Sequence, residues 1–305
     1  MSGWANYRDL IAQNFGVVMA IAFVIGLFVP GIEHAPKFVV AVILGIIIFF
    51  SCSKIRMDDF RAFRALDVAL VVVVRFIILP LAIYCFADHF LPTYKFGLLL
   101  LGLLPCGVTL PAMMTIMGGN AALGLSAVTI TSFIVPFTIP LFFYLLADMS
   151  VEIDIAGMFF NLLVTIFVPV VLYFGFMRRF KRAASLMREN SSALACLLIS
   201  GMIAIVVAYE RDVFFQDFGF VLSGVIIGGV TYVLFYLTGL AFAYKSGAEN
   251  RISYSLLSGC NNTGLGISVA VLFLTPSESV LIIIWEINWI FCLILFQQLI
   301  KRKYI

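Results

Sequence analysis

Residues 258–264 have the sequence SGCNNTG and interrupt an otherwise apolar segment of the chain. A second interruption, LLPCGVT at residues 103–109, lies in another apolar segment. A broken helix frees backbone N–H and C=O groups that hydrocarbon cannot satisfy, so such breaks persist only inside protein or beside a water-filled cavity. We therefore expect the pair to mark a solute site near mid-membrane, although a simple kink is the alternative for either segment alone.

The composition predicts an all-α integral membrane protein. Of the 305 residues, 63% are hydrophobic and 11% are charged, whereas soluble proteins are about 45–50% apolar. Long apolar runs between short charged loops favour helical spans of about 20 residues over the alternating strands of a membrane barrel. The sequence predicts ten transmembrane helices, near residues 15–32, 36–53, 66–87, 95–117, 121–147, 155–177, 191–209, 214–244, 252–274 and 277–300.

The basic residues predict the orientation. When successive loops are assigned to alternate sides of the membrane, one side receives only Lys37, Lys95 and Arg211, and the other receives all the remaining loop Lys and Arg residues. Cytoplasmic loops carry the excess of Lys and Arg. We therefore expect both termini in the cytoplasm and the chain in the inner (plasma) membrane.

Ten spans predict two halves of five, residues 1–150 and 151–305. Because five is odd, the second half enters the membrane in the opposite orientation, which makes the repeat inverted. The interrupted segment is the fourth of each half. Interruptions at matching positions of inverted repeats are the best pointer in a sequence to a transporter's binding site.

Two charges fall inside predicted spans. Arg75 lies about 13 Å from the nearer interface at about 1.5 Å per residue, too deep for its side chain to reach water easily. Glu286 is the other. The two could form a buried ion pair, or Arg75 could bind an anionic solute and Glu286 carry a proton. Thr109, Asn261 and Asn262 add neutral polar groups at the breaks, with helix-to-helix hydrogen bonding as their alternative role.

Motifs for catalysis do not appear in the sequence. It contains no Gly-rich phosphate loop followed by Lys and no His-Glu-x-x-His, and both histidines, His34 and His89, lie in predicted outer loops. We therefore expect a carrier without a cofactor, not an enzyme or a nucleic-acid-binding protein, and we expect its partners to be the lipid bilayer and a small solute.

The chain resembles the bile acid:sodium symporter family. The resemblance is carried by the inverted repeat, by PCG followed by GGNAAL at residues 118–123, and by GCNNTGL at residues 259–265. It implies a panel domain from spans near 15–53 and 155–209 and a core domain from spans near 66–147 and 214–300. It also implies crossed broken helices in the core, and alternating-access transport of bile acids or other organic anions, usually with two sodium ions.

The resemblance also assigns the residues of the breaks. The family's Gln-Asn pair at the second break falls on Asn261 and Asn262, which are therefore expected to contact solute and to be residual sodium contacts. Its Thr at the first break falls on Val108, beside Thr109, and its His-Asn in the last span falls on Glu286 and Ile287. The expected break residues are Pro105, Cys106, Gly107, Gly259 and Gly264.

Most sodium-ligand positions of the family lack oxygen-bearing side chains here. They fall on Leu110, Pro111, Gly124, Val128 and Leu257. A hard cation takes oxygen ligands. The first sodium site is therefore expected to be absent.

The family's glutamine in the third span, five residues before a proline, falls on Arg75. Our hypothesis is that Arg75 stands in permanently for sodium, with Glu286 a possible proton site.

These observations predict a secondary transporter of a small organic anion that works by alternating access. Its site would comprise Arg75, Thr109, Asn261, Asn262 and Glu286. A conventional sodium-coupled organic anion symporter and a non-transporting membrane receptor or assembly partner are alternatives. A fourth possibility is an arsenite-type carrier that uses Cys106, since thiolates suit soft ions.

Overall fold

The computed structural model describes residues 7–8, 10–11, 14–54, 73–146 and 153–302. These residues form helices, and their only extended pairing is an isolated bridge, as expected for an all-α protein. The helices, in chain order, are α1 Phe15–Phe28, α2 Phe38–Ser51, α3 Leu79–Phe90, α4 Lys95–Leu103, α5 Leu110–Met117, α6 Ala121–Leu146, α7 Ile155–Gly175, α8 Lys181–Tyr209, α9 Arg211–Gln216, α10 Phe218–Phe242, α11 Ala248–Gly259, α12 Thr263–Phe273 and α13 Pro276–Lys301.

Five of these helices, α6, α7, α8, α10 and α13, are long and apolar enough to cross a membrane on their own. The shorter helices α1, α2 and α12 are also apolar. Together they make the chain a multi-pass membrane protein, while the total of ten spans stays a prediction. The span expected at 66–87 lies partly outside the described residues, and its remainder forms a π-helical turn, Val74–Ile78, followed by α3.

Polar residues fix where several helices begin. The side chains of Asp154 and Asp217 accept hydrogen bonds from the backbone N–H groups of Gly157 and Phe220, both at 2.8 Å, and so cap α7 and α10. Such caps satisfy N–H groups that the first helical turn leaves without partners. Helix α8 begins at Lys181, earlier than the predicted span at 191–209, because its polar first turns continue the helix beyond the apolar segment.

The two interrupted segments each fold as a pair of helices. Residues 104–109 separate α4 from α5, and residues 260–262 separate α11 from α12. The two breaks lie side by side as an antiparallel bridge between Cys106 and Asn261. The Gly107 N–H donates to the Cys260 carbonyl and the Asn262 N–H donates to the Pro105 carbonyl, both at 2.8 Å.

Gly264 does not lie in the break, where it was expected. It belongs to the first turn of α12, because the Asn262 side chain accepts from the Leu265 N–H at 3.2 Å and caps the helix one residue before Thr263. Gly259 is the last residue of α11.

The helices pack closely around the breaks. Helix α8 packs against α1 and α2, α2 against α7, and α7 against α6, which also packs against α5; α10 packs against α11 and α13, and α12 against α13. Small residues allow the closest approaches. At Gly239 of α10, an added Cβ would lie 2.2 Å from the Tyr254 carbonyl oxygen of α11.

We predict that Gly239→Ala destabilises the protein, because the new methyl group meets backbone and α10 must move away from α11. Overpacking of this kind typically costs about 1–3 kcal/mol. Gly201→Ala is the matched control, since nothing lies within 4 Å of the added Cβ on α8 and Ala favours a helix over Gly by about 1 kcal/mol. Thermal unfolding in detergent should show a lower midpoint only for Gly239→Ala, and equal midpoints would contradict the close packing.

Candidate functional site

Arg75 joins the two breaks. Its side chain is 2% exposed. Its guanidinium donates to the Gly102 carbonyl, to the Leu104 carbonyl at 2.9 Å and to the Asn261 Oδ1 at 2.6 Å. The last carbonyls of a helix lack intrahelical partners and form the negative end of its dipole. Arg75 therefore caps the carboxyl end of α4 and ties it to the second break.

The π-helical turn explains how Arg75 reaches this position. The Leu79 N–H donates to the Val74 carbonyl, five residues earlier. Pro80, the second residue of α3, has no N–H and cannot continue an ordinary helical ladder. A π-bulge inserts an extra residue into a helix and is frequent at functional sites. Here it accommodates Pro80 within a helical segment and supports a buried guanidinium, which also lies 5.3 Å from the centre of the Phe235 ring.

The two asparagines of the second break have different surroundings. Asn261 is buried, and it uses Oδ1 for Arg75 and Nδ2 for the Leu101 carbonyl at 3.2 Å. Asn262 is partly buried, caps α12 and also lines a cavity beside the first break. Asn261 thus fastens the breaks, and Asn262 is the one of the pair that can meet a solute.

This cavity has a volume of about 790 Å³ and lies between α2 and α7 on one side and α5, α6 and the breaks on the other. Lys54 and Arg178, which follow the carboxyl ends of α2 and α7, supply its positive charge. Arg178 is exposed, and Lys54 is partly buried. Its neutral polar lining consists of Ser51, Thr115, Thr129, Ser132 and Asn262. Most of the remaining lining is apolar, and it includes Val108 at the first break.

Of the five residues predicted to form the solute site, only Asn262 lines this cavity. Arg75 instead borders a separate pocket of about 40 Å³. Thr109 directly precedes α5 and is partly buried. Glu286 is 3% exposed, and its Oε2 has no hydrogen-bond partner among the described residues. Among the residues that the structure describes, no salt bridge joins Glu286 to Arg75.

Cys106 is completely buried, and its Sγ lies 3.7 Å from the Leu257 carbonyl oxygen. It does not line the cavity either. This placement offers no support for a thiolate site that an arsenite-type solute could reach.

The positions that would supply sodium ligands carry no oxygen-bearing side chain; Pro111 and Val128 line the cavity, and the other three are closely packed. Leu110 and Leu257 are buried, and the Met114 Sδ fills the space beside Gly124, where an added Cβ would lie 2.6 Å from it. None of these side chains offers an oxygen to a cation, and Arg75 already occupies the carbonyls that end α4. The residues present therefore do not fit a sodium ion at these positions.

Comparison with known proteins assigns the family. A model of the Sodium Bile acid symporter family matches residues 39–217, a region that includes Arg75 and the first break. The chain belongs to this family.

Two relatives come from Bacillus subtilis (strain 168). The transporter YocS, named as uncharacterized and sodium-dependent, is 24% identical over 276 residues, which cover 88% of this chain and 84% of YocS. The uncharacterized protein YbaS is 27% identical over 218 residues, 68% of this chain and 66% of YbaS. Membership of a symporter family makes this chain a membrane transporter.

Lys54 and Arg178, the two cations of this candidate site, were not predicted from the sequence. An excess of Lys and Arg in cytoplasmic loops is expected from membrane orientation alone, so these two residues did not indicate a solute site. The hydroxyls at Thr129 and Ser132 on α6 were the available signal, because they place polar groups within an apolar helix.

We predict that Arg75→Met strongly destabilises this symporter-family chain. Methionine has similar length but no donor, so two carbonyls and the Asn261 side chain lose their partner, at about 1–3 kcal/mol for each buried group left unpaired. Arg75→Lys should recover only part of the loss, because an ammonium lacks the planar fork of donors. Arg179→Met is the control, since Arg179 is exposed. Equal thermal midpoints for Arg75→Met and Arg179→Met would show that Arg75 does not fasten the breaks.

Proposed function

We propose that this chain is a secondary transporter of a small organic anion, that it works by alternating access, and that the 790 Å³ cavity is its solute site. The observation that carries the proposal is the composition of the lining, which combines two cations, several hydroxyls, the Asn262 amide and extensive apolar surface. Small-molecule sites are typically cavities of about 300–1,000 Å³ with a mainly apolar lining and a few polar groups.

The cations define how an anion would sit. Arg178 lies 5.9 Å from the centre of the Phe174 ring, and the Lys54 ammonium donates to Ser192 at 3.0 Å. A guanidinium can bind a carboxylate or sulfonate through two parallel hydrogen bonds, whereas an ammonium acts as a point charge. The anionic group would therefore lie near Arg178 and Lys54, and the apolar body would extend towards Val108 and Asn262.

The packing supports alternating access. The cavity lies between a group containing α2 and α7, which belong to the proposed panel with α1 and α8, and a group containing α5, α6 and α12, which belong to the proposed core. Rocking of one helix bundle against another around a fixed site is the usual mechanism of such transporters. We further propose that residues 1–150 and 151–305 form an inverted repeat. We place the chain in the inner membrane, with both termini in the cytoplasm. The cavity would then face the cytoplasm in this conformation.

In this proposal the positive charge of Arg75 acts within the protein and does not bind the solute. Its donors are directed to three oxygens of the breaks, which leaves little of its charge for a solute. A coupling sodium would need the same kind of oxygens. We infer that Arg75 takes the place of a bound sodium ion permanently and makes transport independent of sodium.

Sodium-coupled symport remains the second candidate. The name of YocS describes that relative as sodium-dependent, and backbone carbonyls at the breaks could replace side-chain ligands.

We predict that Arg178→Gln and Lys54→Gln each weaken the binding of an anionic solute. Loss of one partly exposed charge contact costs about 1 kcal/mol, or about fivefold in Kd. Lys181→Gln is the matched control, because Lys181 lies at the start of α8 and does not line the cavity. A thermal-shift panel of carboxylates and sulfonates should first identify an anion that stabilises the wild type, and uptake of that anion into proteoliposomes should follow. A stabilising anion that binds all variants equally, or that is bound but never transported, would contradict the proposal.

We predict that wild-type uptake of that anion is equal in sodium and potassium media, because the positions expected to ligate sodium hold apolar side chains and Arg75 occupies the carbonyls at the end of α4. The anion gradient should be identical in both media, and the membrane potential should be clamped so that only the cation differs. Strict dependence of the wild type on sodium would overturn the role given to Arg75 and favour conventional symport.

A further inference from the structure

Glu286 is a buried acidic side chain on α13, a helix that packs closely against α10. On α13, the neighbouring Trp285 indole N–H donates to the Gly224 carbonyl of α10 at 2.9 Å, and Asn288 Nδ2 donates to the Val225 carbonyl at 2.9 Å. An added Cβ at Gly228 would lie 2.0 Å from the Trp285 ring, which shows how closely α10 and α13 approach. Glu286 itself is 3% exposed, so its carboxyl can meet water only if the surrounding helices move.

Polar atoms in this region lack partners within the described chain. The Glu286 Oε2 has no hydrogen-bond partner, and neither has the hydroxyl of the completely buried Tyr232 on α10. Natural structures leave few buried polar atoms unsatisfied, so each one calls for an explanation. An intramembrane ionisable residue is by default a candidate for function, proton relays being one example.

An unpaired carboxylate would be very costly here. Moving an isolated ionised group into a low-dielectric interior is so unfavourable that the group takes up a proton instead. The charged and titratable groups that interact electrostatically with Tyr232 are Glu286 and Cys292 on α13, Arg75 on the π-helical turn, Cys260 at the second break and Tyr236 on α10. Arg75 is the one cation among them, and its charge is already directed to three oxygens.

We propose that Glu286 is a proton-binding site of this transporter, protonated in the conformation described and able to release its proton when the transport movement admits water to the carboxyl. This inference rests on the proposed function, because it gives the alternating movement a coupling ion in place of sodium. Tyr232 lies within electrostatic range of both Glu286 and Arg75. In this proposal its hydroxyl, which has no hydrogen-bond partner among the described residues, stabilises the carboxylate once the proton has left.

Infrared spectroscopy of the full-length chain in lipid vesicles tests the site without any solute. At neutral pH the wild type should show the carbonyl stretch of a protonated carboxylic acid, the band should disappear as the pH is raised, and it should shift in heavy water. Glu286→Gln should abolish the band. Glu249→Gln, which alters an exposed glutamate at the start of α11, should retain it.

Tyr232→Phe gives an independent readout, because loss of the hydroxyl should make the carboxylate harder to form and move the disappearance of the band to higher pH. Absence of a band that depends on Glu286 would overturn the proposal, and so would a band that neither titrates nor exchanges in heavy water. The infrared measurement needs no anion. A failure to take up any anion would therefore count against the proposed function only, and the infrared result would still test the proton site.

Discussion

The two helix breaks stabilise each other, and the rest of the structure depends on that pairing. In a membrane interior an unsatisfied backbone group costs several kcal/mol because no water can replace its partner. The extended segments solve this problem by exchanging hydrogen bonds between Gly107 and Cys260 and between Asn262 and Pro105. The carbonyls at the end of α4 cannot be satisfied in this way, and Arg75 supplies their donors. The breaks and the buried guanidinium are therefore a single unit.

The same pairing shapes the cavity. An added Cβ at Gly107 would lie 2.9 Å from the Asn261 carbonyl oxygen, so only glycine lets the segments come this close without a shift. Thr131 of α6 accepts from the Cys106 N–H at 3.1 Å and donates to the Ala127 carbonyl, which fixes α6 to the first break. Thr129 and Ser132, on either side of Thr131, line the cavity. Disturbing the breaks would thus displace polar groups that we assign to the solute.

The sequence predicted what local chemistry encodes. The broken helices were predicted from proline, glycine and adjacent asparagines in apolar segments. The burial of Arg75 was predicted from its distance to both membrane interfaces. The partners of Arg75 were less accessible, because two of them are backbone carbonyls, which every residue has and no sequence pattern marks. An ion pair with Glu286 was the natural alternative, yet the two side chains do not meet in the described structure. Lys54 and Arg178 were missed for another reason, since orientation already explained their charge.

A permanent cation changes the energetics of a transport cycle. A ligand shifts a conformational equilibrium only by its different affinity for the two states, and an ion gradient does work only if the ion binds on one side and leaves on the other. The Arg75 guanidinium can preorganise the breaks as sodium would, but it is covalently attached and never leaves. If Arg75 replaces sodium, uphill transport needs another ion that does leave. A buried carboxyl that forms no salt bridge with the residues described, as proposed for Glu286, would be suited to this role, whereas a carboxyl held in a salt bridge would resist protonation.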